Sequence, residues 1–590
     1  MSILAGIYSR DDKVPVPDSM SSALKRLVSR NAGDEVTVYE DRRCYFVKVD
    51  VGALGEPGHH TDSDNSVSLL AGEPLLSDNG ARQWQSREQD LKLIHEELAR
   101  GEFHALTRAQ GVFCAINYQP ASATLSLIAD KLCIRPLYYW MDERYVVFAS
   151  ALRILEGLSE IPKKMNLRAV TEVVGLGYPL GSRTPYMDIQ LLRAAEVVRI
   201  NGQELSSFHY WRWDDIKPSA GAQEELSREL YDRFETAVAR GIRNDTVTVA
   251  YLSGGLDSRC VVAALRHLKV RVHTFNFARP GTQDQIFGRD FARQIETIHE
   301  EVPKEPGDHV PDYSSMMARV WGGSKNRERY PAERPSLIWS GEGGSVALGH
   351  VHMSRKIVEL MRAGQVDAAI EEYLEREQIY VSPKLFRPGV IAHLTGILNK
   401  GIREELDVIN AADPARSFYL FLMLNDQRRK LSGHFENIDQ HRLEFQLPFF
   451  NSAFLELIVS APVDLCLGHK LYVKWLTYFP QAVTSVPWQA YPGHEPCPLP
   501  VAQELSYQWD SGYQMAEHKS QKRTLAQQAR ELLGARDFPA EILSKNRFRL
   551  AALIHSTGRR DYEYFIKAAQ TYHTYWRICH GDYALPSATR

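Results

Sequence analysis

The segment Tyr251-Leu252-Ser253-Gly254-Gly255-Leu256-Asp257-Ser258 concentrates the residues best suited to chemistry. An apolar run of β character, Thr246 to Leu252, leads into it, and a helical run, Cys260 to Leu268, leaves it. A strand, a Ser/Gly-rich turn and a helix start together form a phosphate cradle. Glycines let the backbone approach an anion closely and expose successive N–H groups. The helix N-terminus adds about half a positive charge. No lysine follows the glycines, so this is not the GxxxxGK[ST] loop.

Elements must position that turn. With 590 residues the chain exceeds one core, and two or more domains are expected. Apolar residues make up 44%, charged residues 24%, and the net charge is −3, which gives no reason to invoke nucleic acid or an anionic membrane. Apolar runs such as Phe418 to Leu424 are too short to span a bilayer. Arg10 to Lys13 stand where a signal peptide needs its apolar stretch, so a cytoplasmic location is expected. Seven scattered cysteines without a C-x-x-C pair read as reduced thiols and no zinc site. The polar stretch His59 to Ser66 reads as a surface loop.

The first part of the chain is β-rich: Val36 to Tyr39, Arg43 to Val49, Val112 to Tyr118, Thr124 to Ala129, Leu137 to Trp140 and Tyr145 to Ala149. Leu91 to Leu98 has helical spacing, and polar Trp211 to Gln223 reads as a linker. The chain therefore divides into residues 1–212 and 213–590. Leu226, Leu230, Phe234 and Val238 mark one helix face. Strands Thr246 to Leu252, Val270 to Phe277 and Ser336 to Ser340 then alternate with helices, and beyond about residue 350 the pattern is mainly helical. Such alternation predicts an α/β domain with a parallel sheet and a nucleotide at the strands' carboxyl ends.

The SGGxDS form resembles the pyrophosphate loop of enzymes that cleave ATP between its α and β phosphates. Further segments widen the likeness: Val272 to Asp284, Ser340-Gly341-Glu342-Gly343-Gly344, Glu444-Phe445-Gln446-Leu447-Pro448-Phe449-Phe450-Asn451, then Lys470 and Lys474. In the first part, Asp130 to Tyr139 and Phe148-Ala149-Ser150 match as well. In this order and spacing they resemble the asparagine synthetase family. The resemblance implies an N-terminal Ntn-hydrolase-like, glutaminase-type β-rich domain and a C-terminal PP-loop ATP pyrophosphatase domain with a parallel sheet and a helical extension.

The chain also departs from that family. It starts Met1-Ser2-Ile3, where asparagine synthetases start Met-Cys-Gly, and a hydroxyl is a far weaker nucleophile than a thiol. Leu70 to Leu75 keeps the Gly-Glu of a glutamine-binding Asn-Gly-Glu but not the Asn. The N-terminal domain is thus expected to be inactive, so the attacking amine must come from a substrate. Relatives with this profile are β-lactam synthetases and lasso peptide cyclases. The Gly343-Gly344 turn and the long helical part look more like the latter.

The resemblance assigns roles. ATP and Mg²⁺ are the implied cofactors. Ser253, Gly254, Gly255 and Ser258 bind pyrophosphate, and Asp257 holds Mg²⁺ or caps the following helix. Phe277 and the Ser340-Gly341 backbone line the adenine site. Ser345 stands where the family has a second metal carboxylate, which leaves Mg²⁺ to Asp257, phosphates and water alone, or to Asp284 as a substitute. Glu444 orients or deprotonates the amine, which at a pKa of about 8 is only roughly 10% neutral at pH 7. Lys470, with Lys474 as competitor, stabilises charge at the α-phosphate, and Glu342 helps bind the amine. Trp488, Tyr491 and His494 form an aromatic loop that contacts peptide or simply turns the chain. The expected partners are a precursor peptide and a protease that removes its leader. An asparagine synthetase, a β-lactam synthetase-like ligase and a nucleotide-binding pseudoenzyme stand as alternatives.

Overall fold

The β-rich first part closes into two packed sheets because its strands are apolar on both faces or alternate. Its strands are Ser2–Ser9 (β1), Val36–Glu40 (β2), Cys44–Asp50 (β3), His59–Thr61 (β4), Val67–Gly72 (β5), Phe113–Gln119 (β6), Thr124–Ala129 (β7), Tyr138–Met141 (β8), Tyr145–Ala149 (β9), Met165–Asn166 (β10), Ile189–Leu191 (β11), Glu196–Asn201 (β12) and Glu204–His209 (β13). The structure, a computed structural model, describes residues 2–76, 86–303, 313–489 and 511–586, the last segment from 522 onward in its side chains. One sheet runs β11-β8-β9-β1-β3-β2 and the other β13-β12-β7-β6-β5-β4. They meet face to face through aromatic rings: Tyr118 of β6 lies 6.0 Å from Tyr8 of β1 and 5.8 Å from Phe46 of β3.

Two expectations for this part are corrected. The His59–Ser66 segment is not wholly a loop, because β4 pairs with β5 in the register His60↔Ser68. An edge strand needs ladder bonds on one side only, so polar composition does not forbid it. The 211–223 segment is pinned rather than loose: buried Trp213 donates from Nε1 to the Lys131 carbonyl at 2.6 Å, and the Lys131 ammonium sits 3.8 Å over the Trp211 ring.

The helix Gln223–Ile242 buries Leu226, Leu230, Phe234 and Val238, as the four-residue spacing requires. Phe234 packs on Phe449 at 4.8 Å and Trp475 at 5.2 Å. A parallel sheet follows, made of Val247–Tyr251 (β14), Arg271–Asn276 (β15), Ile298–Glu301 (β16), Leu337–Trp339 (β17) and Glu444–Gln446 (β18), in the order β16-β15-β14-β17-β18. The two edge strands escape the sequence pattern because one is half-buried and charged and the other has only three residues.

The remainder is helical. One long run, Pro414 to Glu436, passes through a π-helical segment at Leu422–Gln427, which puts an extra residue into the turn. The C-terminal helices return to the N-terminal domain: Tyr572 donates to Thr171 Oγ1 at 2.8 Å, and Tyr583–Ala584 (β19) pairs in parallel with β10. No single helix among the described residues is long and apolar enough to cross a membrane.

Arginine–carboxylate pairs join the two halves. Arg135 pairs with Glu444, at 4% and 1% side-chain exposure. Arg243 pairs with Glu73, Arg193 with Glu405, and both Arg30 and Arg153 with Asp439. A buried charge left without its partner costs about 3–5 kcal/mol, whereas replacing both by apolar side chains is often neutral. Arg135→Leu is therefore expected to lower the thermal unfolding midpoint strongly, and Arg135→Leu/Glu444→Leu to recover most of the loss. Calorimetry of the two variants beside the parent checks this.

Candidate active site

The sheet's carboxyl edge builds the site. β14 ends at Tyr251, and the Leu252 amide extends its ladder by donating to the Phe275 carbonyl at 2.9 Å. The chain then turns through Ser253-Gly254-Gly255 into the helix Leu256–His267. The Ser253 amide donates to Ser258 Oγ at 3.0 Å, Gly255 N to Ser253 Oγ at 3.2 Å, and Gly254 N to Asp284 Oδ1 at 2.6 Å. A phosphate entering the turn takes these donors over from side-chain oxygens. Arg259, fully buried, anchors the turn from behind, donating to the carbonyls of Gly254, Val483, Val486 and Pro487.

The turn after β17 closes on this cradle. A Cβ on Gly341 would lie 2.4 Å from Ser258 N, and one on Gly254 would lie 2.7 Å from Asp284 Cα, so only glycine fits either place. Asp257 lies in the first helical turn, yet it is not the helix cap. Its carboxylate accepts from Ser345 N at 2.9 Å, Ser345 Oγ at 2.8 Å and the Tyr472 hydroxyl. Burial raises its pKa, against the pull of these hydrogen bonds. Where the resemblance expects a second carboxylate, Ser345 instead donates to the first.

Together these elements enclose a cleft of about 850 Å³. Ser253, Gly255, Asp257, Ser258 and Asp284 line one part, and Ser340, Gly341 and Glu342 another. Phe277 forms an aromatic wall with Tyr251 at 5.9 Å and Tyr313 at 6.0 Å. Glu342 is open to the cleft's water yet surrounded by protein. That enclosure, then the Asp257 charge, holds its carboxyl above the ordinary range, with Lys430 opposing. Carboxylates thus outnumber cations here, an arrangement that repels a triphosphate unless a divalent ion intervenes. The oxygen donors of Asp257 and Asp284 suit Mg²⁺, a hard cation that prefers oxygen ligands and keeps several waters.

Other expected residues lie elsewhere. On β18 side chains alternate. Phe445 faces the cleft, stacked 3.5 Å from His434, while Glu444 is locked to Arg135 in the crevice between the domains. Glu444 is therefore not brought to the cradle. Lys470 is exposed, its Nζ 3.5 Å from the Asp464 carbonyl, and Lys474 pairs with Glu224 at the surface. The helix Lys470–Leu476 turns Tyr472, not its lysines, towards Asp257. The cleft's lysine is Lys430, 2.9 Å from Asp426 Oδ1. His434 and His441 join it there, with Nδ1 atoms 3.0 Å from Ser314 Oγ and Ser315 Oγ. Lys430 and His434 share a helix face at i, i+4, the one signal in the sequence that pointed to them. Trp488 is buried near His469 at 6.2 Å, its neighbour Gln489 lines the cleft, and Tyr491 and His494 lie outside the described residues.

In the N-terminal domain, Ser2 is 2% exposed, donating to Asp50 Oδ2 at 3.0 Å and accepting from Arg87 at 3.2 Å. Glu73 pairs with Arg243 and accepts from Gln446 at 3.4 Å, so the retained Gly-Glu binds the other domain. The crevice beside it offers about 30 Å³, room for a water or two. Gly341→Ala is expected to weaken ATP binding at least tenfold, whereas Gly322→Ala, whose Cβ meets nothing within 4 Å, leaves it unchanged. Equilibrium titration with a fluorescent ATP analogue measures both.

Known proteins agree with this two-part layout. Residues 78–211 match the glutamine amidotransferase domain family and residues 229–325 the asparagine synthase family. A putative glutamine-hydrolysing asparagine synthetase 2 of Methanocaldococcus jannaschii is 28% identical over 278 residues, 44% of this chain and 53% of that protein. Glutamine-hydrolysing asparagine synthetase 3 of Bacillus subtilis is 23% identical over 270 residues, 42% of this chain and 43% of that protein. The match spans about half the length of these relatives or less. Among solved structures, the glutamine phosphoribosylpyrophosphate amidotransferase of B. subtilis is 12% identical, covering 52% of this chain and 82% of that one, at a TM-score of 0.24. The chain thus carries a stretch similar to the glutamine amidotransferase domain ahead of a stretch similar to asparagine synthase, and the two relatives above are named asparagine synthetases.

Proposed function

We propose that the protein is an AMP-forming amide ligase that closes a macrolactam in a ribosomal precursor peptide, as lasso peptide cyclases do. A side-chain carboxylate of the peptide attacks the α-phosphate of ATP, giving acyl-AMP and pyrophosphate. The peptide's own N-terminal amine then attacks the acyl carbon and expels AMP, leaving an isopeptide bond. A partner protease must first remove the leader and free that amine.

The observation that carries this proposal is the contrast between two cavities. The cleft holding the cradle measures about 850 Å³, whereas the interdomain crevice measures about 30 Å³ and is crossed by the Arg135–Glu444 pair. The cleft thus has space beyond a nucleotide for a segment of an activated peptide, while the crevice beside Glu73 admits little more than a molecule of water size. Threading a tail costs about 1–2 kcal/mol per ordered backbone residue, which favours an enzyme that binds the peptide already folded. Correct placement of amine and acyl carbon is worth roughly 7–11 kcal/mol of barrier.

In this scheme Ser253, Gly254, Gly255 and Ser258 grip the pyrophosphate, and Phe277 with the Ser340-Gly341 backbone borders the adenine. Asp257 and Asp284 would hold Mg²⁺, which neutralises charge on the leaving group. Lys430 takes the electrostatic role expected of Lys470. Glu342 takes the base role expected of Glu444, since a carboxyl with a raised pKa is a better base near neutral pH. A second scheme is an asparagine synthetase that uses free ammonia or ammonia released at Ser2, in line with relatives named as glutamine-hydrolysing asparagine synthetases.

Incubation with ATP, Mg²⁺ and a leaderless precursor peptide is expected to yield AMP, pyrophosphate and a peptide lighter by one water. Asparagine made from aspartate with glutamine, or orthophosphate alone, would overturn the proposal. Asp257→Ala is expected to abolish AMP formation. Glu342→Gln is expected to slow ring closure by about 10²–10⁴-fold while ATP–pyrophosphate exchange persists. The base is lost as pH falls through the raised pKa, so the acid limb of the parent's pH–rate profile should lie above the ordinary glutamate value of 4.5.

A further inference from the structure

The segment between β4 and β5 carries a second cluster of chemically able side chains, outside the cleft. We propose that His60, Asp62 and His95 form a binding site for a divalent transition-metal ion of the zinc class. His60 and Asp62 are two residues apart at the end of edge strand β4, so the strand period places both on one face. That face meets the helix Arg87–Ala99, which contributes His95. His60 Nε2 lies 3.1 Å from Asp62 Oδ1, and His95 Nε2 lies 3.2 Å from Asp62 Oδ2. All three ligand atoms fall within 4.8 Å of one another. Tetrahedral zinc, with bonds of about 2.0–2.2 Å to imidazole and carboxylate, wants its ligand atoms about 3.3 Å apart.

The surroundings fit a metal ligand better than a plain ion pair. The His95 side chain is fully buried. Its Nδ1 lies 2.9 Å from Ser68 Oγ, which also accepts from Asn117 Nδ2 at 3.0 Å. Asn117 Nδ2 lies 3.4 Å from the same Nδ1, so Ser68 and Asn117 hold the ring from behind with Nε2 turned towards Asp62. Ser66 Oγ, 3.0 Å from the same Nε2, already donates to Asp64 at 2.6 Å. His60 and Asp62 are 18% and 47% exposed, giving an ion a path from solvent and a fourth position for water. Two imidazoles and one carboxylate select zinc or its neighbours over calcium or magnesium, which prefer oxygen. The cysteine pattern reads as no zinc site, and this set departs from that expectation because it uses no sulfur. A bound ion would clamp the β4–β5 turn to the helix.

The test uses full-length protein stripped by chelator and titrated with Co²⁺ or Zn²⁺ alone, without nucleotide. About one Co²⁺ per chain with the visible bands of low-coordinate cobalt is expected, together with a rise in unfolding temperature on adding Zn²⁺. Both effects should disappear in His60→Ala and in Asp62→Ala, at a partly buried and an exposed position, and persist in Asp257→Ala. No binding by the parent protein, or equal binding by the parent and both truncated variants, overturns the proposal.

Discussion

The C-terminal domain converges on the Asp257 carboxylate. The helix after β14 presents it, the turn after β17 reaches it through Ser345, and a helix more than two hundred residues later reaches it through Tyr472. Without that junction the two turns have no reason to lie so close that Gly341 leaves no space for a side chain against Ser258 N. The carboxylate thus ties together the two turns that border the cleft. A buried carboxylate satisfied by three donors is rigid, so it holds those turns in one relative position.

The interface between the domains shows how a binding surface can be converted into a joint. Glu73 keeps its place beside Gly72, but Arg243 and Gln446 consume its acceptors. Glu444 faces the same crevice and is consumed by Arg135. These charges hold two halves of one molecule together. Such pairs add little net stability but penalise any arrangement that separates them, so they favour one relative orientation of the domains.

The cradle was legible in the sequence because its backbone geometry admits few residue types. Gly254, Gly341 and Ser258 are fixed by close approach, and close approach leaves a trace in residue identity. Glu444, Lys470 and Lys474 were misplaced for the opposite reason: a charged residue fits many surroundings, and spacing along the chain does not say which way a short strand or helix faces. Lys430 and His434 escaped notice because their polar helix reads as an ordinary solvated face. The edge strands β16 and β18 were missed because three or four residues cannot carry a period. The polar stretch at 59–66 read as loop because composition was weighed without its partner strand.

The π-helical segment at Leu422–Gln427 precedes Lys430 and His434 on the same continuous run. One surplus residue in a helix rotates everything beyond it by about 100° relative to an uninterrupted spiral. The orientation of the cleft's lysine and imidazole is thereby encoded upstream, in a single inserted position rather than in their own neighbourhood. Removing one residue there would keep both side chains but aim them at different walls of the cleft.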